Sequence, residues 1–157
     1  MTLLQHPRYV EAPKEAGALS TKSVFLAGGI TGCPGWQEPM ASALIEGTKN
    51  LVVFNPRRAN FPIHDPKAAE AQITWEHRHL RASSAVSFWF CKDTVQPIVL
   101  YELGAWSMTS KSIFVGVEPG YPREQDVRIQ TRLIRPEVQI ASTLDGLVKQ
   151  VVDWTKS

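Results

Sequence analysis

Short apolar runs alternate along this chain with longer segments of helical composition. The runs that predict buried strands are SVFLA (23–27), LVVFN (51–55), AVSFWF (85–90), SIFVGV (112–117) and VQIA (138–141). Helices are predicted over 37–49, 68–84 and 98–109 and after a cap at Ser142 or Thr143. This alternation is typical of a parallel sheet covered by helices on both faces. The predicted fold class is therefore α/β, a doubly wound, mainly parallel, five-stranded, Rossmann-like sheet.

Length and composition fit one folded domain. With 157 residues, of which 43% are hydrophobic, the chain can bury its own core, which excludes a disordered or fibrous protein. Residues 1–21 lack periodicity and predict an N-terminal arm packed on a partner subunit, ahead of a single domain over 22–157. The net charge of +2 is too small to indicate a nucleic-acid or membrane partner.

The two cysteines, Cys33 and Cys91, are far apart and lack a Cys-x-x-Cys spacing. We therefore predict neither a disulfide framework nor a structural zinc site. The first residues do not have the basic start and apolar run of a secretory signal, and no apolar stretch is long enough to span a membrane. These features predict a cytoplasmic protein.

Ligands of an open parallel sheet bind beyond the carboxyl ends of its strands. Four predicted loops lie there: 28–32, 55–58, 91–97 and 117–123. The first follows a strand but has neither the Gly-x-Gly-x-x-Gly spacing nor the lysine of a P-loop. Its adjacent Gly28 and Gly29 either let a ligand approach the backbone or form a tight turn, and the residues alone leave both open.

Two glutamates are candidates for catalysis. Glu102 falls early in the helix after the third strand and flanks the stripe of Val99, Leu103 and Trp106 that faces the core. The nearby helix N-terminus favours its ionised form, and a half-buried carboxylate can act as a nucleophile. The alternative is an ordinary glutamate that offsets the helix dipole. Glu76 lies in a helix that starts from the same edge, where the alternative is a solvated position.

Five segments carry a family resemblance. They are VFLAGGITG (24–32), FNPRR (54–58), WEHRHLRASS (75–84), VSFWF (86–90) and YELGAW (101–106). Together they resemble the nucleoside 2-deoxyribosyltransferase superfamily, most closely its 2-deoxyribosyltransferase-like branch, over about Ser23 to Val117. The YELGAW segment is the most specific part, since a Glu-Leu-Gly at this helix start carries the family's nucleophilic glutamate.

The resemblance implies an enzyme that acts on an N-glycosidic bond. Glu102 would attack C1′ of a ribosyl or deoxyribosyl group to form a glycosyl-enzyme ester, and a second base (transfer) or water (hydrolysis) would then take the sugar. Glu76 would orient the sugar or hold a proton. The remaining substrate-binding positions implied are Phe25, Gly28, Gly29, Asn55, Arg57 and Arg58. The resemblance further implies no metal or other cofactor, a small nucleoside or nucleotide as partner, and a homo-oligomer.

Three departures from the family pattern bear on the substrate. Ser84 stands where the family often has an aspartate, and Phe25 replaces an aromatic hydroxyl. Gln96 occupies the place of an aspartate six residues before the nucleophile, and Asp93 is the nearby candidate for its role. These losses suit the alternative of a non-catalytic nucleotide-binding module on the same fold.

Arg57 and Arg58 directly follow the second predicted strand. Because a guanidinium group matches the geometry of a phosphate, the pair predicts tighter binding of a nucleoside monophosphate than of its nucleoside. The alternative is that both arginines are surface charges that pair with Asp65 and Glu70.

Overall fold

Six parallel strands form one sheet at the centre of the computed structural model, which describes residues 1–157. In chain order the strands are β1 Tyr9–Glu11, β2 Ser23–Gly28, β3 Val52–Asn55, β4 Ala85–Phe90, β5 Ser112–Val117 and β6 Ile140–Ala141. The helices are α1 Gln37–Gly47, α2 Ala68–Ala82, α3 Pro97–Ser107, α4 Glu124–Ile134 and α5 Leu144–Thr155. The spatial order is β1-β3-β2-β4-β5-β6, with every pairing parallel. The predicted α/β class is confirmed.

The two central strands explain the continuous apolar runs of the sequence. Every residue of β2 and of β4 is buried, because helices cover both faces of the sheet. One core cluster packs α1 and α5 against one face, with Leu44 and Leu147 at its centre. The second cluster packs α2, α3 and α4 against the other face around Phe88.

The sheet has six strands and not the predicted five, because the N-terminal segment supplies β1. Tyr9 and Val10 lie beside Val53 and Phe54 of β3 at the edge of the sheet. A three-residue strand is too short to show a period of two, so only its tertiary pairing reveals it. The helix α4 was also not predicted, and it begins directly after the loop predicted over 117–123.

Two helix starts were predicted correctly. Pro97 is the first residue of α3, where its missing N–H leaves no hydrogen bond unmade. At the start of α5, Thr143 accepts a hydrogen bond from the backbone N–H of Gly146 at 3.0 Å.

The strand order creates a crevice between the loops after β2 and β4. From β2 the chain moves outward to β3 and then crosses back over β2 to β4. The connections that leave β2 and β4 therefore diverge at the carboxyl edge, which is where doubly wound sheets bind ligands. Both α2 and α3 begin at this edge, because each helix runs back against the direction of the strands.

Candidate active site

A cavity of about 400 Å³ opens at the carboxyl ends of β2 and β4. One wall is the glycine loop after β2, from Gly28 to Thr31, and the opposite wall is the segment from Thr94 to Val99. Glu76 of α2 and Glu102 of α3 complete the lining, together with Phe25 of β2. The cavity thus joins the glycine loop to the segment before and at the start of α3, which lies about 70 residues later in the chain.

Both candidate catalytic glutamates are half-buried, and neither forms an ion pair. The Nε2 atom of Gln72, one turn earlier on α2, donates to Glu76 Oε2 at 3.3 Å and to the carbonyl oxygen of Pro56 at 2.7 Å. The contact with Gln72 orients the carboxylate of Glu76. Glu102 has no hydrogen-bond partner within the chain, so its carboxylate is free to contact a substrate.

Burial, and after it the nearby charge of Glu76, raises the pKa of Glu102 to about 8. Burial also raises the pKa of Glu76, while the hydrogen bond from Gln72 lowers it. The expectation that the helix N-terminus keeps Glu102 ionised is therefore wrong. Glu102 is the sixth residue of α3, beyond the first turn where the helix dipole acts, so that burial and the second carboxylate decide its pKa.

Gly28 and Gly29 are required by the packing of the protein itself. A Cβ atom on Gly28 would overlap the ring of Trp36 and approach the carbonyl oxygen of Trp89 to 2.6 Å. A Cβ atom on Gly29 would overlap Cys33 Sγ and lie 2.8 Å from the side-chain amide of Gln96. The two glycines make room for neighbouring protein groups and also form the wall of the cavity.

Gln96 is a cavity residue with an unusual backbone. It has φ 57° and ψ 62°, the left-handed region, immediately before α3. Its Nε2 atom donates to the carbonyl oxygens of Cys91 at 2.8 Å and Thr94 at 3.0 Å, whereas its buried Oε1 has no partner. The side-chain amide of Gln96 thus links two carbonyl groups of the loop after β4.

Cys33 and Cys91 are joined by a disulfide bond, with their Cα atoms 6.5 Å apart. The sequence led us to expect no disulfide framework, because 58 residues separate the two. They meet because Cys33 follows β2, Cys91 follows β4, and these strands are neighbours in the sheet. Adjacency of strands, which spacing along the chain does not reveal, brings them together.

The remaining predicted binding residues lie outside this cavity. Arg57, Arg58, Asn55 and Asp93 are all absent from its lining. Asn55 is buried, and its Nδ2 atom donates to the hydroxyl of Tyr9 at 2.8 Å. The guanidinium carbon of Arg58 lies 5.5 Å from the centre of the Phe61 ring. Arg57 bonds to the loop before α1 and not to the cavity.

Thr31, Thr94, Val95 and Ile98 also line the cavity and were not singled out by the sequence. The available signal was position, since all four lie in or next to loops predicted at the carboxyl edge. No lysine, arginine or histidine contributes to the lining, and no three His, Cys, Asp or Glu side chains come together in an arrangement that could hold a metal ion. None of the helices has the length and apolarity needed to cross a bilayer.

Comparison with known families gives one match. A family model described as "nucleoside 2-deoxyribosyltransferase like" matches residues 21–121. The matched segment contains the glycine loop, both cavity glutamates and all of α3, and it leaves out β1, α4 and α5. A comparison with curated proteins gives no match.

Proposed function

Because the chain belongs to the nucleoside 2-deoxyribosyltransferase-like family, we propose that it cleaves or transfers at the N-glycosidic bond of a 2′-deoxynucleoside, with Glu102 as the nucleophile. The observation that carries this proposal is the pair of half-buried carboxylates in one cavity, Glu76 and Glu102, with no cation beside them. Enzymes that break a glycosidic bond with retention of configuration at the anomeric carbon usually use two carboxyl groups, one as the nucleophile and one as the acid and base.

We infer that the two glutamates carry one proton between them, because burial raises the pKa of both and the charge of Glu76 raises the pKa of Glu102. In the first step the Glu102 carboxylate attacks C1′, the N-glycosidic bond breaks, and its electron pair leaves with the base. For this attack the shared proton must lie on Glu76 and not on Glu102, and the departing base takes it up from Glu76. In the second step a nitrogen of an acceptor base, or a water oxygen, attacks C1′ and gives its proton to Glu76, and the ester bond breaks to release Glu102 as a carboxylate.

The charge of the cavity favours a nucleoside over its 5′-phosphate. A phosphate in this cavity would meet two glutamates and no basic side chain. Arg57, which the sequence suggested as a phosphate ligand, instead uses its guanidinium within the protein. We therefore expect a 2′-deoxynucleoside to bind more tightly than its 5′-monophosphate, which is the opposite of the preference that the arginine pair predicted.

We also propose that the protein is a homo-oligomer. The outward face of α3 and the residues that flank the helix expose Val95, Ile98, Tyr101 and Met108, and the last three are each more than 65% exposed. A helix that is apolar on both faces is typical of burial against a partner. Because Ile98 and Val95 also line the cavity, a second copy seated there would close its mouth. Sedimentation as a monomer at micromolar concentration would contradict this.

The test of the activity is incubation with a panel of 2′-deoxynucleosides and ribonucleosides, with and without a free acceptor base. Formation of the exchanged nucleoside indicates transfer, and release of the free sugar indicates hydrolysis. The Glu102→Gln variant should lose turnover by a factor of roughly a thousand or more, since the nucleophile is gone. Glu70→Gln, an exposed glutamate on α2, is the matched control and should retain it.

Two outcomes would overturn the proposal. If Glu102→Gln retains activity within a few-fold of the wild type, Glu102 is not the nucleophile. If the wild type binds nucleosides but never turns them over, the protein is a binding module on an enzyme fold.

A further inference from the structure

The guanidinium group of Arg57 forms hydrogen bonds with the first residue of α1 and the loop before it. Its Nη1 atom donates to the carbonyl oxygen of Pro34 at 2.8 Å and to Gln37 Oε1 at 3.2 Å, and its Nη2 atom donates to the carbonyl oxygen of Cys33 at 3.1 Å. The backbone N–H of Arg57 donates to Asn55 Oδ1 at 2.9 Å, which fixes the chain as it leaves β3. A planar guanidinium with three acceptors is a rigid connection between the two segments.

Gln37 continues this connection to the wall of the cavity. Its side chain is buried, its Oε1 accepts from Arg57, and its Nε2 donates to the carbonyl oxygen of Gly29 at 3.1 Å. The same carbonyl accepts a second hydrogen bond from Trp36 Nε1 at 3.0 Å. Since Gly29 lines the cavity, an unbroken series of hydrogen bonds runs from β3 through Arg57 and Gln37 to that wall.

We propose that Arg57 is a positioning residue that acts through Gln37 and the carbonyls of Cys33 and Pro34 to hold the Gly29–Thr31 wall against the substrate. The inference rests on the proposed function, because it assigns to this cavity the binding of the nucleoside. It gives Arg57 a role that does not require contact with a phosphate. A loop displaced by even a small distance weakens substrate positioning, which is why a residue outside the cavity affects binding.

Arg8 provides a matched control at the opposite end of α1. Its guanidinium also donates to three acceptors, Thr48 Oγ1 at 3.1 Å, the carbonyl oxygen of Leu51 at 3.2 Å and that of Ile45 at 2.9 Å. Both arginines are half-buried and both join α1 to β3 or its flanking residues. Arg8 lies at the amino edge of the sheet, far from the cavity lining. Loss of either side chain therefore removes a similar number of hydrogen bonds, but only the loss of Arg57 should disturb the cavity.

The experiment compares Arg57→Met with Arg8→Met in thermal unfolding and in steady-state kinetics with the 2′-deoxynucleoside that the panel shows to be turned over fastest. We expect both variants to lose similar thermal stability. Arg57→Met should raise KM roughly tenfold with kcat changed less than about threefold, and Arg8→Met should leave both within about twofold. Arg57→Lys keeps the positive charge and a single donor nitrogen, so it is less disruptive to folding and should recover part of the loss in KM.

Equal effects of the two variants on KM, or no effect of either, would overturn the inference. So would a loss of nucleoside 5′-monophosphate binding without loss of nucleoside binding in Arg57→Lys, because Arg57 would then be a phosphate ligand.

Hydrogen–deuterium exchange separates this inference from the proposed function. If no nucleoside is turned over by the wild type, the proposed function fails, and exchange of the backbone amides from 29 to 36 decides the role of Arg57. Faster exchange confined to this segment in Arg57→Lys, and absent from Arg8→Lys, supports control of the cavity wall by Arg57. Unchanged exchange there overturns it.

Discussion

Charged side chains at the two edges of the sheet differ in whether they have partners of opposite or complementary charge. At the amino edge, cationic side chains donate to carbonyl oxygens at or beyond the ends of helices: Arg8 to Ile45, Lys111 to Leu80 and Ser83, and Lys22 to Trp154 and Ser157. At the carboxyl edge, Glu76 and Glu102 share one cavity without a cation, and both have raised pKa values. The cations named at the amino edge all have hydrogen-bond acceptors. At the carboxyl edge, ionisation of the two half-buried glutamates costs folding free energy.

The direction of the chain accounts for this difference. In an all-parallel sheet each connecting helix runs against the strands, so helix C-termini with their unpaired carbonyls collect at the amino edge. Cations placed there stabilise the fold. The carboxyl edge receives the diverging loops and can hold a ligand, so reactive groups that destabilise the folded state are placed there. Stability and chemistry therefore occupy opposite ends of the same strands.

The largest expected effect on stability is that Glu102→Gln makes the protein more stable. The pKa of Glu102 in the fold, about 8, lies above the ordinary glutamate value of 4.5. The contribution of this carboxyl group to stability is therefore complete below the unfolded pKa and is lost as the pH rises towards 8. Glutamine has no charge to bury, so the variant should gain up to about 3 kcal/mol at neutral pH and almost nothing in acid.

Chemical denaturation of both proteins across this pH range measures the gain. Glu70→Gln, the exposed control on α2, should give a difference that does not change with pH. If Glu102→Gln is less stable than the wild type at every pH, the carboxylate of Glu102 is not held at a cost and the contrast between the two edges fails.

The second expected effect lies at the amino edge. Lys111→Met removes donation to the carbonyl oxygens of Leu80 at 2.5 Å and Ser83 at 2.6 Å, together with the charge that lies 4.6 Å from the centre of the Trp106 ring. Charged hydrogen bonds of this kind contribute about 1.5–3 kcal/mol, so unfolding should become easier by about 2 kcal/mol. Turnover should be unchanged, because Lys111 lies at the opposite edge from the cavity.

Lys149→Met is the control for this variant. Lys149 is exposed and makes one ion pair with Asp153, which contributes about 0–1 kcal/mol. A large loss of turnover in Lys111→Met at unchanged secondary structure would show that the edges are not independent.

The smallest expected effect concerns the coupling between the two acids. Because the charge of Glu76 raises the pKa of Glu102, Glu76→Gln should move the acid limb of the kcat/KM profile to lower pH, by about one unit or less. The maximum rate should fall as well, since the proposed proton donor is lost. A pH profile of the variant measures both, and an acid limb that stays in place would mean that the two carboxylates do not interact.

Periodicity and composition were sufficient for the α/β class and for five of the six strands. Buried parallel strands are continuous apolar runs, and this local property needs no tertiary information. The same reasoning placed Pro97 at the start of α3. The glycine loop was identified by its position at the carboxyl edge, and the two glutamates now found in the same cavity were selected by the family resemblance. Strand β1 was missed, because three residues carry no period of their own.

Only the tertiary structure decided what each residue at the carboxyl edge touches. From its position after a strand, Arg57 was predicted to bind an anion. Its hydrogen-bond acceptors in the structure are Cys33, Pro34 and Gln37, which lie 20 or more residues away along the chain. The pairing of Cys33 with Cys91 and the raised pKa of Glu102 likewise depend on neighbours that the crossing of β3 to β4 brings together. Local patterns determine which segments become strands and helices, whereas hydrogen-bond partners and burial depend on groups distant in sequence, which only the folded chain brings into contact.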